Sequence, residues 1–358
     1  MTPAEPAFWT DWLCRQALPL WSNAGHDEDG FVERLALDGT PQPDVPRRLM
    51  VQARQIHAFA IAARRGWYPG AADLALRAGD TMITRYWQAD AQPGWAFSCT
   101  RRGAVADPRR DLYAHAFVLL ALAALIRLDP APRTVALVHQ TLAFLDQTLT
   151  HPAGGYVEAW PRAVLPRRQN PHMHLLESLL TLHETGACGD LTPRIAALIA
   201  LFDTRFLPAG DDVLAESYAL DWTPANPGCG GFEPGHHFEW IWLLERTAAL
   251  TGIAVGDRVS RLRRQALRGM TADGRVVDVM GPDGAIAASC RLWPALEAAK
   301  VLTGPARDQV LGTAWRIFFA PAHPGGWIDH VDPGGDPLVA FIPASTLYHI
   351  STAVDHFG

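Results

Sequence analysis

PGWAFSCTRRGAV, Pro93 to Val105, followed from Asp111 by DLYAHAFVLLALAALIRL, decides the fold. The first run is short, turn-rich and alternating, which predicts a β-hairpin or extended loop; the second is apolar at helical spacing. The same succession recurs along the chain. DGFVERLALDGTP, GGYVEAWPRAVL, DDVLAESYALDWTPA, DGRVVDVMGPDGAI and GGWIDHVDPGGDPL carry the hairpin signature and begin at residues 29, 154, 211, 273 and 325. RRLMVQARQIHAFAIAARRG, RTVALVHQTLAFLDQTL, HHFEWIWLLERTAALTG and RVSRLRRQALRGM read as helices. A period of about 50 to 65 residues suits two helices and a hairpin, repeated six times. Six helix pairs closing on themselves predict an all-α (α/α)6 barrel, with hairpins gathered at one mouth. Residues 1–358 show no Pro/Ser linker or charge run, so a single catalytic domain is expected.

Composition bounds the chemistry. The 358 residues are 49% hydrophobic and 19% charged, with a net charge of −6, which argues against a nucleic-acid surface. Lys300 is the only lysine, so neither a P-loop nor a Schiff-base lysine is expected. Five scattered cysteines form no CxxC pair, and no export signal or membrane span is read; a reducing, cytoplasmic setting follows.

The period also orders the polar residues. The helices that follow the hairpins carry Arg54, then Tyr113, then Asn170 and His174, then His236 and Glu239, then Arg291 and Trp293, then His349. If alternate helices share a direction, these groups converge on one mouth, as a small polar ligand requires. In NPHMHLLE, residues two apart on a helix point to different sides, so His174 faces the cavity with Asn170, and His172 faces the packing side. Asn170 is equally a candidate N-cap before Pro171. In PGHHFEW, Glu239 lies one turn from His236 and is expected to orient it. A His-x-x-Glu metal site would need further ligands, and no HExxH is present; no metal and no cofactor are expected. Taken alone, His349 reads as a core histidine, and Tyr113 and Trp293 as core aromatics.

QARQIHAF, DLYAHAF, NPHMHLLE, PGHHFEW, RLWPALEAAK and PASTLYHI, in this order from Gln52 to Val354, resemble the N-acylglucosamine 2-epimerase superfamily, and RLWP and STLYH look most like its mannose isomerases. The resemblance implies an (α/α)6 barrel and a metal-free enediol mechanism on a monosaccharide. It marks His236 and His349 as the acid/base pair at the sugar C1–C2 bond. Arg54, Tyr113, Asn170, His174, Glu239 and Trp293 would bind or orient the sugar, with His174 also a candidate in ring opening. Many relatives have glutamine where this chain has Ala295, which suggests a missing hydrogen bond to substrate. The expected reaction is aldose–ketose isomerisation of a free hexose, mannose to fructose, with His236 as the base and Arg54 stabilising the oxyanion. A sugar 2-epimerase is the alternative, and an inverting glycosidase, which needs two carboxylates across the bond, is a distant one. Large aromatic outer helices are compatible with a homodimer; no nucleic-acid or membrane partner is expected.

Overall fold

A computed structural model describes residues 1–162, 165–225 and 231–357. Ala163 and Val164 of the third hairpin, and Cys229, lie outside the described residues. Inner helices are α2 (Leu49–Arg65), α4 (Leu112–Leu128), α6 (Asn170–Thr185), α8 (Pro234–Thr251), α10 (Leu292–Val301) and α12 (Leu347–Phe357). Outer helices are α1 (Pro6–Trp12, extended through Leu13–Ala17 and Leu18–Asn23), α3 (Ala71–Tyr86), α5 (Pro132–Phe144), α7 (Thr192–Leu201), α9 (Arg258–Arg268) and α11 (Gly304–Ala314). Each inner helix packs on the next, and α12 packs back on α2, so the ring is closed. This is an (α/α)6 barrel.

The two helix sets differ as their sequences require. The run Ala114 to Ile126 of α4 is buried on every side, because it has helices on all flanks. Outer α3 buries only Ala71, Leu74, Ala75, Ala78, Gly79, Met82 and Tyr86, one face at helical spacing. Among the described residues no helix is long and apolar enough to cross a membrane.

The hairpin segments pair mainly with their neighbours. The strand before one inner helix pairs antiparallel with the next segment: Arg48 with Ser98, Asp111 with Ala159, Arg168 with Ser217, Phe232 with Met280, and Arg291 with His330. Ile342 pairs with Leu35, which closes the circle between the last segment and the first. Internal pairing also occurs, as between Ser98 and Asp107.

This belt is fastened by buried polar side chains. Arg47, Arg110 and Arg167 are buried and donate to carbonyls of the adjoining turns: Gly30 for Arg47, Pro93 for Arg110, and Gly154 and Tyr156 for Arg167. Histidines form a second fastening. His115 Nδ1 bonds the Asp111 carbonyl at 2.8 Å, and Nε2 accepts from Trp95 N at 3.2 Å. His172 repeats this with Arg168 O and Tyr156 N, and His237 with Glu233 O and Leu214 N. A ring nitrogen that accepts a backbone N–H is deprotonated, so all three rings are neutral. Burial holds their pKa values down, to about 4 for His115 and His237 and about 3 for His172. Gln52 does the same work in the first repeat, bonding both Phe31 N and Phe31 O.

Candidate active site

Strand register makes Arg48, Asp111, Arg168, Glu233, Arg291 and Pro343 equivalent junction residues. Six positions after each stand Arg54, Phe117, His174, Glu239, Glu297 and His349, one from every inner helix. All the polar members of this layer are at most 5% exposed. Two positions after the junctions lie Tyr113, Asn170, Gly235, Trp293 and Ser345, nearer the hairpin mouth. The common register therefore gathers the predicted residues at one end of the barrel.

Trp293 is flanked by both candidate histidines, with its ring centroid 5.0 Å from His236 and 5.6 Å from His349. Gly235 makes room for it: a Cβ there would lie 2.5 Å from the indole. Each imidazole is held at Nδ1 by a carboxylate, Glu216 at 2.8 Å for His236 and Glu297 at 2.8 Å for His349. Both arrangements fix ring orientation and leave Nε2 for a ligand.

The orienting carboxylate of His236 is thus Glu216, a correction to the expected Glu239. The physical reason lies in the belt. Glu33 and Glu158 accept the junction N–H and the guanidinium of Arg48 and Arg168. Glu216 accepts the N–H of Glu233 in the same way, but Glu233 brings no guanidinium, so the other carboxylate oxygen is left for His236. Glu239 points elsewhere, into a cluster with Glu297 and His349 and to 3.8 Å from His174.

Electrostatics separates the two histidines. Burial disfavours charge on His236, but Glu216 and Glu233 outweigh it and push the pKa up to about 10. His349 is held well below its usual value by burial, then by Arg54 and Lys300. Burial beside Glu297 raises Glu239 well above the carboxylate range.

Arg54 Nη2 donates to Tyr113 Oη at 2.6 Å, and the guanidinium lies 4.1 Å from the Phe117 ring centroid. His174 Nδ1 bonds Glu177 at 3.0 Å, and Tyr348 Oη donates to the same carboxylate at 2.5 Å. Burial opposes the Glu177 charge, yet these bonds and nearby cations hold its pKa down to about 2. Asn170 occupies the first turn of α6 and makes no capping bond; its Oδ1 is buried and has no hydrogen-bond partner among the described residues. Capping is therefore not its role here. Ala295 is equivalent to Gln52, His115, His172 and His237, facing the belt. A fastening of the kind those residues make has no counterpart at Ala295 in the fifth segment.

Sequence reasoning missed Glu216, Glu297 and Tyr348; the i, i+3 spacing of His174 and Glu177 does place those two on one face, and the structure joins them. One signal was present: FVE, YVE, LAE, VVD and WID place an acid at the same point of five hairpins.

Three trios, His174/Glu177/Glu239, Glu216/Glu233/His236 and Glu239/Glu297/His349, bring potential metal donors within 4.8 Å of one another. In each, histidine Nδ1 already bonds a carboxylate. A separate cavity of about 440 Å³ opens at the other end of the barrel, with Glu177, His57 and Trp242 among its lining.

Residues 30–353 match the N-acylglucosamine 2-epimerase (GlcNAc 2-epimerase) family. The chain is 35% identical over 373 residues to a mannose-6-phosphate isomerase of Rhizobium meliloti (strain 1021), covering 96% of this chain and 94% of that protein. It is 29% identical over 361 residues to a D-mannose isomerase of Thermobifida fusca, covering 91% and 87%. The solved cellobiose 2-epimerase of Bacillus thermoamylovorans B4167 superposes with a TM-score of 0.88 over 98% of both chains, at 20% identity. An enclosed His–carboxylate site on this barrel, with a family match across nearly the whole chain, gives one conclusion: the protein belongs to the N-acylglucosamine 2-epimerase family and is an isomerase or epimerase of carbohydrates.

Proposed function

We propose that the protein is an aldose–ketose isomerase acting on unphosphorylated D-mannose, with D-fructose as product, through a cis-enediol. One observation carries the reading: two carboxylate-held imidazoles flank Trp293. Their surroundings push His236 toward the protonated form and His349 toward the neutral one, which favours the reverse of the roles expected from sequence. Neutral His349 is the base that removes the C2 proton of the open-chain aldose, and the C=C bond forms as the C1 carbonyl takes up the electron pair. Arg54 stabilises the resulting oxyanion in a site with little water. His349 then returns the proton to C1, while protonated His236 gives its proton to O1 and takes up the O2 proton, giving the ketose with its C1 hydroxyl. Tyr113, Asn170, His174, Glu239 and Trp293 position the sugar, and the Asn170 acceptor is free for a hydroxyl.

Free sugar is favoured over a phosphorylated one because the arginines of the junction layer face carboxylates. Arg48 pairs with Glu33 and Arg168 with Glu158, while Arg291 lies 3.8 Å from Asp278. A 2-epimerase is the second reading, supported by the proton stored on His236, which could reprotonate C2 from the other face. The reaction is proposed to need no metal, in one catalytic domain in the cytoplasm; the described cysteines Cys14, Cys99, Cys188 and Cys290 are free, which suits a reducing setting.

The test is proton NMR of mannose, glucose, fructose and mannose 6-phosphate incubated in heavy water with EDTA-treated protein. Fructose formed from mannose, with deuterium at the reacting carbons, is expected. Turnover of mannose 6-phosphate alone, or loss of activity restored by a divalent ion, defeats the free-sugar or metal-free reading respectively.

A further inference from the structure

Lys300, the only lysine of the chain, has a fully buried side chain beneath the catalytic layer. Its Nζ is in ion-pair contact with Glu297 and lies 3.8 Å from the Trp242 ring centroid. Among the described residues neither Nζ nor Glu297 Oε2 has a further hydrogen-bond partner, so each is answered by the other. The other oxygen of Glu297 lies 2.8 Å from His349 Nδ1.

We propose that Lys300 is a positioning residue of the isomerisation, acting through Glu297 to fix the tautomer of His349; the proposal rests on His349 being the base. The crowding of acids is what demands a cation. Glu239 from α8 and Glu297 from α10 approach within 4.8 Å of each other and of His349, and Glu177 of α6 lies in the next turn of its helix. The other groups facing this point are His174 of α6, Arg54 of α2, and Tyr348 and His356 of α12. Arg54 is turned to Tyr113, and Tyr348 donates to Glu177, so neither answers Glu297.

Buried acids this close do not both stay ionised without compensation. If Glu297 took up a proton, it could donate to Nδ1, and the imidazole would carry its hydrogen on Nε2. That tautomer has no lone pair toward the sugar and cannot act as a base. Lys300 keeps Glu297 an acceptor and so keeps Nδ1–H, with Nε2 free. Arg54 brings a planar guanidinium to the catalytic ring and His236 a flat imidazolium, whereas a slim ammonium fits between an indole face and a carboxylate.

A single lysine permits a direct measurement. Selective 15N-lysine labelling gives one side-chain signal, and 15N-histidine shifts report the His349 tautomer. In the wild-type protein the signal is expected to be a solvent-protected ammonium, and His349 the Nδ1–H tautomer. Lys300→Met is expected to shift His349 toward Nε2–H, to lower kcat at least tenfold with KM within about twofold, and to move the acid limb of the pH–rate profile. In a Glu297→Gln background the same substitution should cost little more, because both act through one contact. Should Lys300→Met fail to fold, the wild-type lysine signal and the Glu297→Gln tautomer still decide. An unprotected or neutral amine, an unchanged His349 tautomer, or additive losses overturn the proposal. Full activity in His349→Ala would instead sink the functional reading, leaving the tautomer measurement to stand on its own.

Discussion

Glu216 and His236, on a hairpin and on the helix that follows it, are joined by a 2.8 Å hydrogen bond. Glu216→Gln keeps an acceptor but removes the charge that sustains the imidazolium. The His236 pKa should fall, and kcat should drop about 100-fold, the lower end of what a positioned acid or base contributes. Steady-state kinetics and an NMR titration of His236 check both.

Rate should depend on pH through the two histidines in opposite senses. His349, held low, serves as a base until the medium is well below neutrality, so the acid limb lies below the usual histidine range. His236 keeps its proton until about pH 10, so any step that uses it declines only above that. A broad plateau in kcat/KM is expected. An acid limb near the ordinary histidine value would contradict the separation.

The fastening histidines His115, His172 and His237 should make the fold acid-sensitive. Their folded pKa values are depressed, so the unfolded chain binds more protons below about pH 6.5, and stability is lost as pH falls toward the folded values. Each neutral ring costs roughly 2 kcal/mol of stability at pH 5 relative to pH 8. His172→Gln, which copies the fastening that Gln52 makes in the first repeat, should reduce that loss in urea melts at pH 5 while keeping activity. His172→Ala should destabilise by about 1–3 kcal/mol by leaving Tyr156 N unpaired. His174→Ala should instead act chiefly on turnover.

Ala295→Gln should restore a fastening in the fifth segment, where the equivalent backbone donor is Val276 N. The expected result is a gain of about 1 kcal/mol in unfolding free energy with unchanged KM for mannose. A substrate-contact role for this position would show as a changed KM.

Gly235→Ala drives a methyl group into the Trp293 ring, 2.5 Å away, and displaces it between the two imidazoles. A shift of about 1 Å in a positioned group costs up to about 100-fold in rate. The loss should appear in kcat/KM, with tryptophan fluorescence reporting the movement.

The barrel was legible because each repeat alternates two patterns with different periods, and the inner helices, buried on all sides, are conspicuously apolar. Placing His236, His349 and Trp293 at one mouth followed from counting within that repeat. Their partners were not legible. Glu216, Glu297 and Tyr348 reach His236, His349 and Glu177 from elsewhere in the chain, at sequence separations of 20, 52 and 171. Spacing rules see only one turn ahead, which is why they favour Glu239, the near neighbour, over Glu216. Ala295 illustrates a related point: its equivalence to Gln52 and His172 comes from the junction register, which only strand pairing reveals.

The pairing of Leu35 with Ile342 joins segments about three hundred positions apart, and Glu33 strengthens it by accepting Ala344 N on its carbonyl and Arg48 N on its side chain. This seam sits immediately before the helix bearing His349. Long-range closure is the entropically slow step of such a topology. Completing the circle and bringing the second imidazole to the sugar are therefore a single event, so a molecule with an unzipped seam would keep most of its helices and yet be catalytically silent.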